Sequence, residues 1–148
     1  MFLWILFALG AALVAVAVLI RVAPDDPARW HVDPADVVEQ GAQNDFIVHP
    51  GGEGADIASP VFDKTPEELL AAFTVTAMAA PRTTLLSDEG GFATFIQRTA
   101  LVAFPDYVSV RAVAVEGGSA LHIYSRSRYG IKDFNVNKAR VSAWLKKL

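Results

Sequence analysis

The stretch Tyr107–Arg128, YVSVRAVAVEGGSALHIYSRSR, carries the strongest structural signal in the chain. Two runs of alternating apolar and polar residues flank Gly117-Gly118, and glycine accepts the positive φ that tight hairpin turns require. A two-residue turn at these glycines sets Glu116 opposite Ser119, Val113 opposite His122, Arg111 opposite Tyr124, Ser109 opposite Arg126 and Tyr107 opposite Arg128. Side chains alternate across a strand, so Val108, Val110, Ala112, Ala114, Leu121 and Ile123 form the core face. The opposite face gathers Tyr107, Arg111, His122, Tyr124, Arg126 and Arg128. Such a cationic and aromatic cluster is also what ordinary alternation gives a sheet with one wet side.

Outward from this hairpin, RTTLLS (82–87), a turn at Asp88–Gly91 and FATFIQRTAL (92–101) read as a second hairpin. The two make a four-stranded antiparallel meander over residues 82–128. Upstream, Thr65 as N-cap, Pro66 at the first helical position and Glu68 three residues after the cap predict a helix over 65–79. Leu69, Phe73, Thr76 and Ala77 share one of its faces, with Leu70 beside them, and Pro81 ends it. A last helix over 137–148 should bury Val141, Trp144, Leu145 and Leu148, while Lys146 and Lys147 answer its dipole. The expected fold class is α+β, with both helices on one face of the meander. DFIVHP (45–50) could add a strand before the glycine-rich loop 51–60.

The segment FLWILFALGAALVAVAVLI (2–20) runs 19 residues without a charge. That length spans a hydrocarbon core of ~30 Å, whereas cleavable signal peptides have apolar regions of about 7 to 15 residues. A retained transmembrane helix over 1–22 is therefore expected, with a removed signal peptide as the competing reading. Residues 23–43, rich in proline and acid, read as a tether, and 44–148 as the folded domain. Arg21 and Arg29 follow the span, which by the positive-inside rule favours a cytoplasmic domain weakly. The chain has no cysteine, hence no disulfide, thiolate metal site or thiol nucleophile.

The net charge of −3 hides an asymmetry: residues 1–97 hold four Lys/Arg against thirteen Asp/Glu, and 98–148 hold nine against three. Opposite halves can neutralise each other within the fold, or leave a basic docking surface. The candidate binding residues are Arg111, Arg126 and Arg128, whose guanidinium forks suit carboxylate and phosphate, with Tyr124 and His122 beside them and Asp133 and Arg140 close behind. Asp133 reads either as an orienting partner of Arg126, Arg128 or Arg140, or as a cap on the helix turn. Asn135 suits a position of positive φ, and Asn137 suits an N-cap. No GxSxG elbow, HExxH, Walker loop or GxGxxG is present, and the three histidines do not converge in sequence on a metal site. Ser125 and Ser127 fall on the core face without a nearby base. No cofactor is implied, and an acidic chain with an anchor fits nucleic acid poorly.

YVSVR, SRSRYG (125–130) and DFNVNKARV (133–141), with NDFIV, SPVF and FIQRTALVAFPDYVSVRAV upstream, resemble domain-of-unknown-function family 1499, in its alphaproteobacterial branch. The resemblance covers roughly residues 30–148, and the Arg-rich ending is its specific part. The family pattern usually has glycine where this chain has Asn135, in keeping with positive φ there. Many relatives carry a cysteine pair that this chain lacks, so a redox or metal role does not carry over. Some relatives look exported or lipid-anchored, which implies a periplasmic domain on the bacterial inner membrane. The resemblance implies a fold and a motif, and supplies no reaction.

The functional expectation is a noncatalytic, membrane-anchored accessory or binding module. Its Arg face would engage an acidic protein, a membrane complex, a small anion or anionic lipid headgroups. The alternative is a small envelope enzyme or lipid-handling protein with a cavity between sheet and helices, using Asp133, Tyr124 and His122.

Overall fold

The structure, a computed structural model, describes residues 1–148. One long apolar helix, α1 (Phe2–Val22), precedes a mixed α+β domain and is long and apolar enough to cross a membrane. A single helical turn, α2 (Pro27–Trp30), follows it. The sheet contains β1 (Asp45–His49), β2 (Ile57–Ala58), β3 (Thr83–Ser87), β4 (Ala93–Arg98), β5 (Pro105–Val115) and β6 (Gly118–Ser127). Helices α3 (Pro66–Met78) and α4 (Val136–Leu145) complete the domain.

The expected four-stranded meander is corrected to a six-stranded sheet of order β2-β1-β6-β5-β4-β3. DFIVH forms β1, antiparallel to β6, and β2 adds a parallel edge beside β1. The reason is that β6 would otherwise present an unpaired row of backbone donors and acceptors to solvent. Strands β3 to β6 form the anticipated meander inside this larger sheet.

The central hairpin turns one residue earlier than its glycines suggest. Val115 pairs with Gly118, so Arg111 faces His122 and Tyr107 faces Arg126. Gly117, at φ 84°, supplies the turn, while Gly118 at φ 144° is already the first residue of β6. A Cβ on Gly118 would lie 2.0 Å from the Phe62 carbonyl oxygen. That close approach serves a bridge in which Ser119 N donates to Phe62 O and Phe62 N donates to Ser119 O. Each pairing shifts by two positions, an even number, so the division of side chains between the two faces survives.

On one face, Val108, Val110, Leu121 and Ile123 meet Phe46, Val48 and Phe95 beneath the two helices. Helix α3 contributes Leu69, Phe73 and Ala77, fixed by the capping box in which Glu68 N donates to Thr65 Oγ1 and Thr65 N to Glu68 Oε2. Helix α4 contributes Val141 and Trp144, whose ring meets Phe73 edge-on at 5.7 Å. The opposite face carries the charged and aromatic residues. Residues 24–36, within the stretch expected to be a tether, lie along this face and are hydrogen-bonded to it.

The approach of Phe62 to the hairpin makes a test of this register. Gly118→Ala should lower unfolding free energy by about 2 kcal/mol or more, as a Cβ forced against a fixed carbonyl must displace backbone. Thermal or denaturant unfolding of the full chain measures the loss, with Gly51→Ala, whose Cβ meets no atom within 4 Å, as the milder control.

Candidate functional site

The segment 24–36 reads PDDPARWHVDPAD, and its two Asp-Pro pairs act alike. Asp26 caps α2 by accepting from Ala28 N, and Asp33 caps a short 3-10 turn, Pro34–Asp36, by accepting from Ala35 N. In each turn proline takes the first helical position, where its missing N–H costs nothing. The chain is thereby shaped into a strap that lays Asp25, Trp30, His31 and Asp33 on the sheet.

Each of these four side chains meets a specific partner. The Trp30 indole stacks on the Tyr107 ring, with centroids 4.2 Å apart and planes within 6°. His31 stacks on Phe92 at 4.0 Å and hydrogen-bonds through its ring nitrogens to Thr94 Oγ1 and the Glu89 carbonyl. Asp25 receives Arg98, Arg128 and the Tyr107 hydroxyl, the last at 2.6 Å. Asp33 receives both Nε and an NH2 group of Arg111, a bidentate geometry that favours guanidinium over ammonium. Burial pushes the Asp33 carboxyl up, but hydrogen bonds from Arg111 and Ala35 and the Arg111 charge outweigh it, leaving the pKa lowered. Burial, then hydrogen bonding to the Asp25 carboxylate, raises the Tyr107 phenol well above its usual value.

Arg126 sits at the centre of the face and is 5% exposed. Its guanidinium donates to Ser109 Oγ, to the Tyr124 carbonyl and to the Trp30 carbonyl, and lies 4.4 Å from the Tyr124 ring centroid. It makes no ion pair. Burial lowers its pKa to about 10, outweighing the opposing effects of Tyr124, Tyr107 and Asp45, the last its cross-strand partner on β1. His122 lies beside His49, their rings 4.8 Å apart, and Nδ1 of His122 and Nε1 of Trp30 are buried without a hydrogen-bond partner.

Thus Arg111, Arg126, Arg128, Tyr124 and His122 stand on one face. Asp133 and Arg140 lie elsewhere, with α4 on the far side of the sheet. Asp133 pairs with none of the arginines; it accepts from Asn135 N, Asn137 N and Asn137 Nδ2, fastening the start of α4. Asn135 has the expected left-handed conformation, at φ 65°, and is itself the residue preceding the helix. The expected N-cap, Asn137, is corrected to a fully buried residue of the first turn, because its side chain turns inward. There Asn137 Oδ1 accepts from Ser125 Oγ and Arg140, and Nδ2 donates to the Asn44 carbonyl, Ser127 and Asp133. Arg140 completes the network with Asp106 at 2.5 Å and Gln97 at 2.6 Å. Breaking such a buried pair by removing one partner typically costs about 3 to 5 kcal/mol, which makes Arg140 a structural residue. The DFNVNKARV motif is therefore the wiring of α4 onto the sheet.

A polar cleft of about 380 Å³ opens where the start of α4 meets the β1–β2 edge. Asp45, Asp56, Asp133, Lys132 and Lys138 line it, with Phe134 and Ile57. Burial, then the charges of Asp56, Glu39 and Asp133, raises the pKa of Asp45. Tyr124 and His122, expected beside Asp133 in a cavity, are not among its lining residues. Sequence reasoning missed the strap's role. The available signal was the paired Asp-Pro turns flanking a tryptophan, set against arginines at alternate positions of the sheet.

A mixed α+β domain whose sheet is sealed on one side by helices and strapped on the other by its N-terminal segment is the class that these features define. Residues 23–148 match the family described as protein of unknown function (DUF1499), and the chain belongs to that family. No curated protein and no solved structure matches it.

The histidine beneath the strap gives the site a pH dependence. Burial, then the neighbouring His49, lowers the pKa of His122 below 6.5, so the unfolded chain takes up that proton first as pH falls. The stability that His122 contributes is present above 6.5 and is lost as pH falls from there through the folded value. The thermal midpoint of the full chain in detergent should drop between about pH 7.5 and 5.5. Removing the titration with His122→Gln should make that drop shallower.

Proposed function

We propose that the protein is a noncatalytic, single-pass membrane module that binds an acidic partner through the sheet face of Arg111, Arg126 and Arg128, with Tyr124 and His122 beside them. The single observation that carries this reading is the occupant already there. An acid–aromatic–acid segment, Asp25, Trp30 and Asp33, is held by three arginines and a tyrosine ring. A face that binds its own acidic segment has the chemistry to bind another of the same kind. The strap is an incomplete occupant. It offers Arg126 a carbonyl where a carboxylate would neutralise the charge, and it leaves Trp30 Nε1 and His122 Nδ1 unpaired. An acidic protein segment or a membrane complex that displaces the strap would supply what is missing; anionic lipid headgroups are the smaller ligands of the same chemistry. Helix α1 would hold the module in the bacterial inner membrane with the domain on the periplasmic side.

A second reading, a small envelope enzyme or a lipid-handling protein, rests on the cleft beside Asp133. Asp45, with its raised pKa among two further carboxylates and two lysines, is the group there with acid–base character.

The binding reading is tested with the full chain in detergent and a labelled peptide of sequence PDDPARWHVDPAD. Asp25→Asn with Asp33→Asn loosens the resident strap, and the added peptide should then bind saturably by fluorescence anisotropy. Binding should weaken with salt and disappear when Arg111→Gln and Arg128→Gln are added. Absence of saturable binding to the loosened protein would overturn the proposal.

A further inference from the structure

The loop between β4 and β5, Thr99–Phe104, is the least loop-like sequence in the domain. From Thr99 to Pro105 it carries no charge, and its tip is Leu101, which is 87% exposed. Connecting segments are ordinarily polar and mobile because they face water. This one is apolar and fixed. Thr99 N donates to the Phe104 carbonyl, Phe104 N donates to Thr99 Oγ1, and Arg98 donates to the Ala103 carbonyl at 3.0 Å. Ala103 is held at φ 62°, a conformation costly for a residue with a Cβ. These bonds and that strain keep the leucine side chain projecting outward.

The loop's position indicates what covers it. Arg21, in the last turn of α1, donates to the Leu101 carbonyl at 2.8 Å, and Arg128 donates to the Pro24 carbonyl just beyond that helix. The 21 residues of α1 are about 31 Å long, the thickness of a bilayer core, so its last turn lies at the headgroup boundary. Leu101 is tied to that turn by one hydrogen bond. Phe104 behind it packs against Tyr129 at 5.7 Å, and tyrosine is one of the residues enriched at membrane–water interfaces. Ile131, two residues past Tyr129, is 85% exposed as well.

We infer that Leu101, with Phe104 and Tyr129 behind it, is an interfacial wedge that enters the outer acyl region of the same bilayer that α1 crosses. The domain then has two fixed attachments to the membrane, the helix and the loop, and stands at one orientation on it. The inference rests on the membrane-spanning reading of α1 and goes beyond it by assigning a lipid-facing surface to the folded domain. It is independent of any acidic partner of the arginine face.

Because the chain has no cysteine, one introduced thiol carries a unique label. Leu101→Cys, Val14→Cys within α1 and Val75→Cys on α3 are each labelled with an environment-sensitive fluorophore in the full chain, reconstituted in phosphatidylcholine–phosphatidylglycerol vesicles. Label at 101 should emit to the blue of label at 75, be quenched by lipids spin-labelled near the glycerol end, and be protected several-fold from aqueous iodide. Label at 14 should be quenched by lipids spin-labelled near the chain ends. An aqueous signal at 101 matching that at 75, with 14 in lipid, would overturn the wedge and leave the anchor intact. An aqueous signal at 14 would overturn the anchor and the wedge together.

Discussion

Asp25 and Asp33 hold the N-terminal strap across the sheet, and the rest of the molecule is organised around that attachment. Four guanidinium groups on one face of a sheet repel one another and would each need solvent. The strap removes that difficulty by placing two carboxylates among them and giving the central Arg126 a backbone carbonyl. The same segment brings Trp30 onto Tyr107 and His31 onto Phe92, so apolar surface is covered at the positions where charge is neutralised. A chain that leaves α1 is thus fixed to the domain within a few residues of the helix end.

The two faces of the sheet solve opposite problems with similar residues. Beneath α3 and α4 the interior is polar at one end, where Asp106, Ser125, Asn137 and Arg140 form a closed network, while at the hairpin end Ser119 Oγ is buried without a partner. Such a network stabilises only when complete, because a single unmatched buried group costs more than the pair contributes. Under the strap the matching is less complete, and Arg126, His122 and Trp30 are the residues where it falls short. The complete network fixes structure, and the incomplete one is the face at which we propose an acidic partner binds.

Much of this was legible in the sequence, because short-range rules govern it. The Thr65–Glu68 capping box, the apolar spacing of Leu69, Phe73 and Ala77, the division of faces in the central hairpin and the left-handed Asn135 all depend on neighbours within a few positions. The hairpin's register differed by two because the choice between turn glycines is made by Phe62, more than fifty residues away. Strand β2, two residues long, has no periodicity to read, and β1 took its place through pairing with β6. Five of the candidate residues were placed together by alternation alone. Asp133 and Arg140, expected close behind the arginines, lie with α4 on the other side of the sheet, because proximity in sequence to Arg128 says nothing of which face a helix covers.

The arrangement of the whole domain depends most on residues 24–36 being bound to the sheet. Nuclear Overhauser contacts between the Trp30 indole and the Tyr107 ring, recorded on the isotopically labelled full chain in detergent micelles, measure this directly. Stacked rings at 4.2 Å predict strong cross-peaks between them, alongside those joining Arg111 to His122 across the hairpin. Cross-peaks across the hairpin without any between Trp30 and Tyr107 would mean a folded sheet with a free strap, and would contradict the account.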